Sequence, residues 1–290
     1  MINICICQLI KDEQRYIEEW INYYLNLGIN KFILFEDWNS SSHKEVLEKF
    51  GDKVIIHKLL DIVNEEERQQ LKKGYLRQII AWEIFYRLYK DQFDCCLFID
   101  PDEFIIYDTK ENFYKEIEEY ASKELYPDIK YVKYRWQIMT SNGHIKDPHP
   151  NEKYSILNTY TIPFIEDETE YINRCIYQKD HGLMIEDYNL NCKNLIYLYK
   201  MNSCFDNFYD IPHNVGLIYN FVFSEYRINH YVLKSFEEYK DKLFNKGEQI
   251  EAIFSRKIDF FFKINKDLIK YKNELLKECN YLTYKYNDNF

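Results

Sequence analysis

The run Cys95-Cys96-Leu97-Phe98-Ile99-Asp100-Pro101-Asp102-Glu103-Phe104 constrains the fold more than any other stretch of the chain. Five apolar residues lead straight into three carboxylic acids within four positions. A short apolar run without alternation reads as a strand covered on both faces, and such strands belong to parallel sheets flanked by helices. Carboxylates at its end then lie at the C-terminal edge of the sheet, where open α/β folds bind their ligands. Pro101 fixes its own φ and removes a backbone donor between Asp100 and Asp102. Two hard oxygen ligands on a stiff spacer suit Mg²⁺ or Mn²⁺ held mainly by a substrate diphosphate. The competing reading is a strand that leaves the core into a solvated acidic turn.

The residues before this run extend the same architecture. Residues 2–10 read as a first strand, and Lys11-Asp12-Glu13 as a polar turn in which Asp12 caps a helix over 14–27. Ile17, Trp20, Ile21, Tyr24 and Leu25 make one helical stripe, and Gly28 stops it. Strands follow at 31–36 and 53–57, with a short helix at 43–50 between them. A long helix is expected over 65–90, with Leu76, Ile80, Ile84 and Leu88 as its apolar row, before the strand at 94–99. This β-α alternation predicts a parallel, doubly wound sheet with right-handed crossovers. It then gives way to a helix near 111–122, strands near 129–136, 195–201 and 217–223, and helices over 235–245 and 248–277. The expected fold class is α/β, a mostly parallel central sheet flanked by helices, in a single domain over 1–290 with C-terminal helices.

Charge and composition exclude several function classes. The net charge of −10 speaks against a general nucleic-acid binder, because phosphate backbones need clustered Lys and Arg. Cys5, Cys7, Cys95 and Cys96 lie inside strand-like apolar runs and no Cys-x-x-Cys pair occurs, so the eight Cys read as buried thiols in a reducing compartment. No run of 18 apolar residues occurs, which leads to the expectation of a soluble, cytoplasmic chain.

Three acidic strand ends converge if the strands are parallel: Lys11-Asp12-Glu13, Glu36-Asp37 and Asp100-x-Asp102. Their order carries a resemblance. Lys11-Asp12-Glu13 with Tyr16-x3-Trp20-x2-Tyr23 and Gly28, then Leu34-Phe35-x-Asp37 before Ser40-Ser41-Ser42, resembles the family 92-like and family 2-like glycosyltransferases of the GT-A superfamily. Ile99-Asp100-Pro101-Asp102-Glu103-Phe104 is similar to their Asp-x-Asp-Glu-Phe, although Phe98 stands where Trp is usual. Trp136 with Ser141-Asn142-Gly143-His144 resembles their acceptor-side segment, and Asn229-His230-Tyr231 with Lys234-Ser235 and Glu237-Glu238 their closing block.

The resemblance implies a GT-A fold with a nucleotide-sugar half over 1–110, an acceptor half over 111–247 and a helical extension over 248–290. It implies a metal-dependent glycosyltransferase that moves a sugar from a nucleotide-diphosphate donor, UDP-linked, to a glycan or glycolipid acceptor, with inversion, in surface polysaccharide or lipopolysaccharide synthesis. Peripheral contact with the inner face of a membrane would accompany a lipid-linked acceptor. Asp102 would bind Mn²⁺ or Mg²⁺ directly and Asp100 would touch the ribose or a metal-bound water. His230 would be a third metal ligand, with Lys11, Glu13 and Asp37 on the donor side. Lys234, opening a helix, would meet phosphate beside the helix amides. Trp136, Asn142, Gly143 and His144 would face the acceptor. The base would come from a Glu-Asp pair, Glu186-Asp187 or Glu166-Asp167, with Glu103 and Asp147 as other candidates. Two further readings stand beside this one. A catalytically degenerate relative would bind glycans without chemistry, and an Asp-x-Asp phosphohydrolase would place the motif on its first strand.

Overall fold

The computed structural model describes residues 2–38, 40–72, 77–122, 124–150, 154–165, 192–201, 221–245, 251–275 and 277. The first half alternates β1 (Ile4–Ile10), α1 (Ile17–Leu27), β2 (Lys31–Glu36), α2 (Lys44–Leu47) and β3 (Val54–Lys58). Helices α3 (Leu59–Ile62), α4 (Glu65–Lys72) and α5 (Arg77–Tyr89) then lead into β4 (Cys95–Phe98). Beyond it come β5 (Glu103–Ile106), α6 (Lys110–Ala121), β6 (Tyr131–Ile138), α7 (Ile156–Thr159), β7 (Cys192–Tyr197), β8 (Phe221–His230), α8 (Phe236–Asn245) and α9 (Glu251–Ile264). The eight strands form one sheet in the order β3-β2-β1-β4-β7-β6-β8-β5.

The expected parallel half is present: β1 pairs in parallel with β2 and β4, and β2 with β3. The order 3-2-1-4 means that the chain winds outward from β1 and then crosses back to its other side. The reversal opens a crevice between the ends of β1 and β4, the place where doubly wound sheets bind ligands. Past β4 the pairing changes direction, because β7 runs antiparallel to both β4 and β6. With Phe98 opposite Asn194, this antiparallel pairing brings the start of β7 beside the acidic end of β4.

Both faces of the parallel half are covered. Cys5, Cys7, Ile33, Phe35, Cys96 and Phe98 pack on Ile80, Ala81, Trp82, Ile84 and Phe85 of α5. On α1, Trp20 meets Phe32 edge to face at 5.7 Å, and Tyr24 stacks with Phe104 at 6.5 Å. Gly28 ends α1 at φ 103°, donating to Leu25 O while Ile29 N donates to Tyr24 O; this is a Schellman stop that a Cβ would strain. The four cysteines Cys5, Cys7, Cys95 and Cys96 are free and buried, and burial pushes the Cys5, Cys95 and Cys96 thiols up in pKa.

Several local expectations need correction. Asp12 does not cap α1, which starts at Ile17; its backbone is left-handed (φ 55°) and its carboxylate accepts from Ser41 N and Oγ at 2.8 and 2.9 Å. Leu88 is 46% exposed, so the buried face of α5 is centred on Ile80, Ala81, Ile84 and Phe85 instead of the row ending at Leu88. Glu103–Ile106, where no element is expected from the sequence, is a strand. The strand expected at 195–201 is Cys192–Tyr197; of the strand expected at 217–223, residues 217–220 lie outside the described residues, and β8 (Phe221–His230) continues past its expected end. The last long helix stops at Ile264, because Asn265 turns its side chain onto Phe261 O and a 3-10 stretch follows.

The chain divides into two compact units, residues 1–136 with 166–229 and residues 137–165 with 230–290. The second unit has its own core, in which Phe236 and Tyr239 of α8 pack on Phe261 of α9 at 5.1 and 5.4 Å, with Leu233, Leu268 and Leu275 around them. No helix among the described residues is long and apolar enough to cross a membrane.

Candidate active site

The ends of β1, β2 and β4 meet at one edge of the sheet, tied by side chains the sequence places far apart. Glu36, at the end of β2, accepts from His43 Nδ1 at 2.9 Å and from His43 N at 2.7 Å. His43 Nε2 accepts the Glu13 N–H at 3.0 Å, which assigns the ring proton to Nδ1. Asp12 holds Ser41 as described, and Asp12 N donates to Ser40 Oγ at 3.1 Å. The loop after β1 is thus zipped to the loop after β2. Asp37 forms an ion pair with Arg77 at 2.9 Å, at the start of α5, and accepts Trp38 N at 2.9 Å. The Trp38 ring is 46% exposed, with the Arg77 guanidinium 5.9 Å from its centre.

The Asp-x-Asp end of β4 is held as firmly. Asp100 Oδ1 accepts Gln8 Nε2, in a short contact across the crevice between β1 and β4, and Gln78 Nε2 lies 3.4 Å away. Asp100 Oδ2 accepts Lys193 Nζ at 2.6 Å. Lys193, near the start of β7, is 1% exposed, lies 3.6 Å from Glu103 Oε2 and stands 5.7 Å from the ring centre of Trp136. Burial works against its charge, but Asp100 and Glu103 outweigh burial and raise its pKa. Glu103, fully buried, receives Asp100 N at 2.9 Å; burial pushes its pKa well up, and Lys193 offsets part of that. The resulting charge pattern is an ammonium paired with Asp100, with Glu103 beneath it.

The donor set fits a divalent cation in part. Asp100 and Asp102 supply hard oxygens, and the ammonium against Asp100 Oδ2 shows that this carboxylate accepts a cation. Two carboxylates are what Mg²⁺ or Mn²⁺ needs from a protein when a diphosphate supplies further ligands. Among the described residues no group of three or more His, Cys, Asp or Glu side chains is placed to hold a metal ion. His230 ends β8 and is buried in the second unit, where its carbonyl accepts Met139 N at 3.0 Å.

The other sequence candidates divide by what holds them. Glu13 and Lys11 sit in the zipped loop after β1, and Glu13 is buried. Trp136 lies on β6 against Lys193. Asn142 (φ 52°) and Gly143 (φ 78°) form the tip of a tight turn closed by His144 N to Ser141 O at 2.9 Å. Positive φ at both central residues is the signature of a type I′ turn. The Asn142 amide is engaged within its own unit, donating to Thr159 O and Thr161 Oγ1 and accepting from Ile162 N. The His144 ring packs edge-on to Tyr160 at 5.9 Å. Tyr134 and Tyr160 are fully buried core.

The helix-end phosphate site is corrected. Ser235 and Glu238 form a capping box at α8: Glu238 N donates to Ser235 Oγ at 3.2 Å, and Ser235 N to Glu238 Oε2 at 3.2 Å. Phe236 N and Glu237 N donate to His144 O and Ile145 O. Each of these amides already has an acceptor, so the start of α8 has no open amides for phosphate; Lys234 (φ 50°) is buried just before it. Glu103, a candidate base, is wholly buried, and Asp147 Oδ1 accepts His149 N in a local turn. Glu166, Asp167, Glu186 and Asp187 lie outside the described residues. A groove along α6, lined by Lys110, Glu111, Tyr114, Lys115 and Glu118, involves none of these residues.

Gln8, Lys193, Arg77, Gln78 and His43 are the site residues that sequence reasoning missed. Lys193 precedes the strand expected at 195–201, so the sequence carries no signal of its burial; within β7 an unpaired buried ammonium would be costly, and a carboxylate partner is needed.

The model of glycosyltransferase family 92 matches residues 1–186. No curated protein matches the chain. Among solved structures, glucosyl-3-phosphoglycerate synthase from Mycobacterium tuberculosis in complex with UDP is 12% identical over 68% of this chain and 57% of that one, with a TM-score of 0.35. The same enzyme with Mn²⁺, UDP and glucosyl-3-phosphoglycerate is 16% identical over 47% of this chain and 44% of that one, with a TM-score of 0.33. A mycobacterial protein is 15% identical over 47% and 42%, again at 0.33. The chain thus spans between 42% and 57% of the length of these structures.

Proposed function

Because the chain belongs to glycosyltransferase family 92, we propose that it transfers a sugar from a nucleotide-diphosphate donor, UDP-linked, to the hydroxyl of a glycan or glycolipid. The observation that carries this reading is the place of Asp100: it sits at the reversal point of a 3-2-1-4 sheet, tied to β1 through Gln8. Asp100 and Asp102 would hold Mn²⁺ or Mg²⁺ together with the diphosphate, and the bound ion would neutralise the charge that develops on the leaving nucleotide.

The chain's own residues have separable tasks. The zipped loops of Asp12, Glu13, Glu36 and His43 give the donor pocket a rigid floor, which limits the entropy lost on binding. Trp38 and Arg77 offer an exposed aromatic and a cation at the same edge, suited to the base and phosphates. By the family resemblance, Trp136, Asn142, Gly143 and His144 are assigned to the acceptor and His230 to the metal. Deprotonation of the acceptor with inversion is assigned to Glu186 or Asp187. Surface polysaccharide or lipopolysaccharide synthesis, in the cytoplasm or at the inner membrane face, is the matching process.

A screen of nucleotide sugars for hydrolysis, with and without Mn²⁺, tests the reading. Cleavage of at least one UDP-sugar only with the metal supports it; no cleavage or binding of any donor refutes it.

A further inference from the structure

Lys193 stands apart from the rest of the site because nothing in the donor chemistry requires it. Its ammonium is 1% exposed, 2.6 Å from Asp100 Oδ2, 3.6 Å from Glu103 Oε2 and 5.7 Å from the centre of the Trp136 ring. An aliphatic residue of the same length would pack on Trp136 without the desolvation that a buried charge entails. What the charge adds is a cation already seated on the carboxylate where a divalent ion would bind. The Lys193 ammonium cancels one negative charge of the carboxyl cluster formed by Asp100, Asp102 and Glu103, which weakens its attraction for a bare divalent ion. A donor diphosphate brings about two further negative charges and completes the oxygen shell.

We propose that Lys193 is a built-in counter-cation that makes divalent-ion binding at Asp100 and Asp102 depend on the donor diphosphate, so that metal and nucleotide arrive and leave together. This rests on the transferase reading of the same carboxylates. Like-charge repulsion between the ammonium and an incoming ion a few ångströms away is strong in a shielded site and falls on the metal-only state. The diphosphate offsets it in the ternary state.

Free Mn²⁺ measured by electron paramagnetic resonance, with and without UDP, tests this on the full chain. Wild type is compared with Lys193→Gln, which keeps an N–H for Asp100 but no charge, with Lys193→Met and with Lys193→Arg. Melting curves and circular dichroism identify the variants that fold. Wild type should bind Mn²⁺ at least about tenfold more tightly with UDP than without. Each folded neutral variant should bind Mn²⁺ alone at least about tenfold more tightly than wild type, and UDP should add correspondingly less. Lys193→Arg should restore the wild-type coupling. A melting shift with unchanged or weaker Mn²⁺ binding in the neutral variants overturns the proposal while leaving the donor reading intact. Failure of wild type to bind UDP at any Mn²⁺ concentration overturns the donor reading, and the proposal with it.

Discussion

Replacing His43 by Ala should destabilise the protein far more than its place in a serine-rich loop suggests. The ring is 0% exposed and bridges two buried groups, the Glu36 carboxylate at 2.9 Å and the Glu13 N–H at 3.0 Å. Losing a hydrogen bond to a charged acceptor costs about 2 kcal/mol, and stranding a buried N–H costs about another 1–3 kcal/mol. The vacated ring volume adds to this, so His43→Ala should lose at least about 3–5 kcal/mol. Glu36→Gln is the matched control. Its amide oxygen still accepts from His43 Nδ1 and His43 N, and the loss should stay near 1 kcal/mol. Urea unfolding followed by the fluorescence of the buried Trp20 and Trp82 measures both. UDP affinity should fall in His43→Ala, because the clamp joins the two loops that would floor the proposed donor pocket. Equal losses in the two variants, or a loss below about 1 kcal/mol in His43→Ala, would refute the bridging role.

Two other outcomes follow from the geometry. Ser235→Ala removes the side-chain half of the capping box on α8 and should cost about 1 kcal/mol in thermal or urea unfolding without changing UDP affinity; a loss of donor binding would return phosphate contact to that helix end. Glu116 has its pKa raised from 4.5 by burial, against hydroxyl donors from Ser224, Tyr107 and Tyr134 that lower it. Its native form binds the proton more tightly than its unfolded form, so its stabilisation is complete below about pH 4.5 and is lost as pH rises through the native pKa. Wild type should therefore lose stability relative to Glu116→Gln as melts are run from pH 4.5 upward, and a constant gap would contradict the assignment.

The sequence was most informative where neighbours in the chain are neighbours in space. The β-α alternation, the Gly28 stop and the Asp100-Pro101-Asp102 strand end are local patterns, and the structure keeps them. Parallel pairing then follows from alternation, and with it the convergence of Asp12, Glu36, Asp37 and Asp100 on one edge. Partners that come from distant strands were not legible. Lys193 reaches Asp100 from 93 positions away because β7 inserts antiparallel to β4, and nothing local to Cys192–Tyr197 states a direction. His43 read as the start of a surface helix, although Glu36 and Glu13 draw it fully inside. The Lys-Ser…Glu-Glu block failed differently. Its spacing is that of a capping box, and its hydrogen bonds close on the protein itself.

The central claim is that Asp100 and Asp102 form the protein's share of a metal–diphosphate clamp. Calorimetric titration of UDP into wild type and Asp102→Asn, with Mn²⁺ and with chelator, tests it most directly. Wild type should bind UDP tightly only with Mn²⁺. Asp102→Asn, with an unchanged fold, should bind at least about thirtyfold more weakly, the equivalent of about 2 kcal/mol for one lost charged contact. Equal UDP affinity in the two proteins, or wild-type binding indifferent to Mn²⁺, would contradict the account.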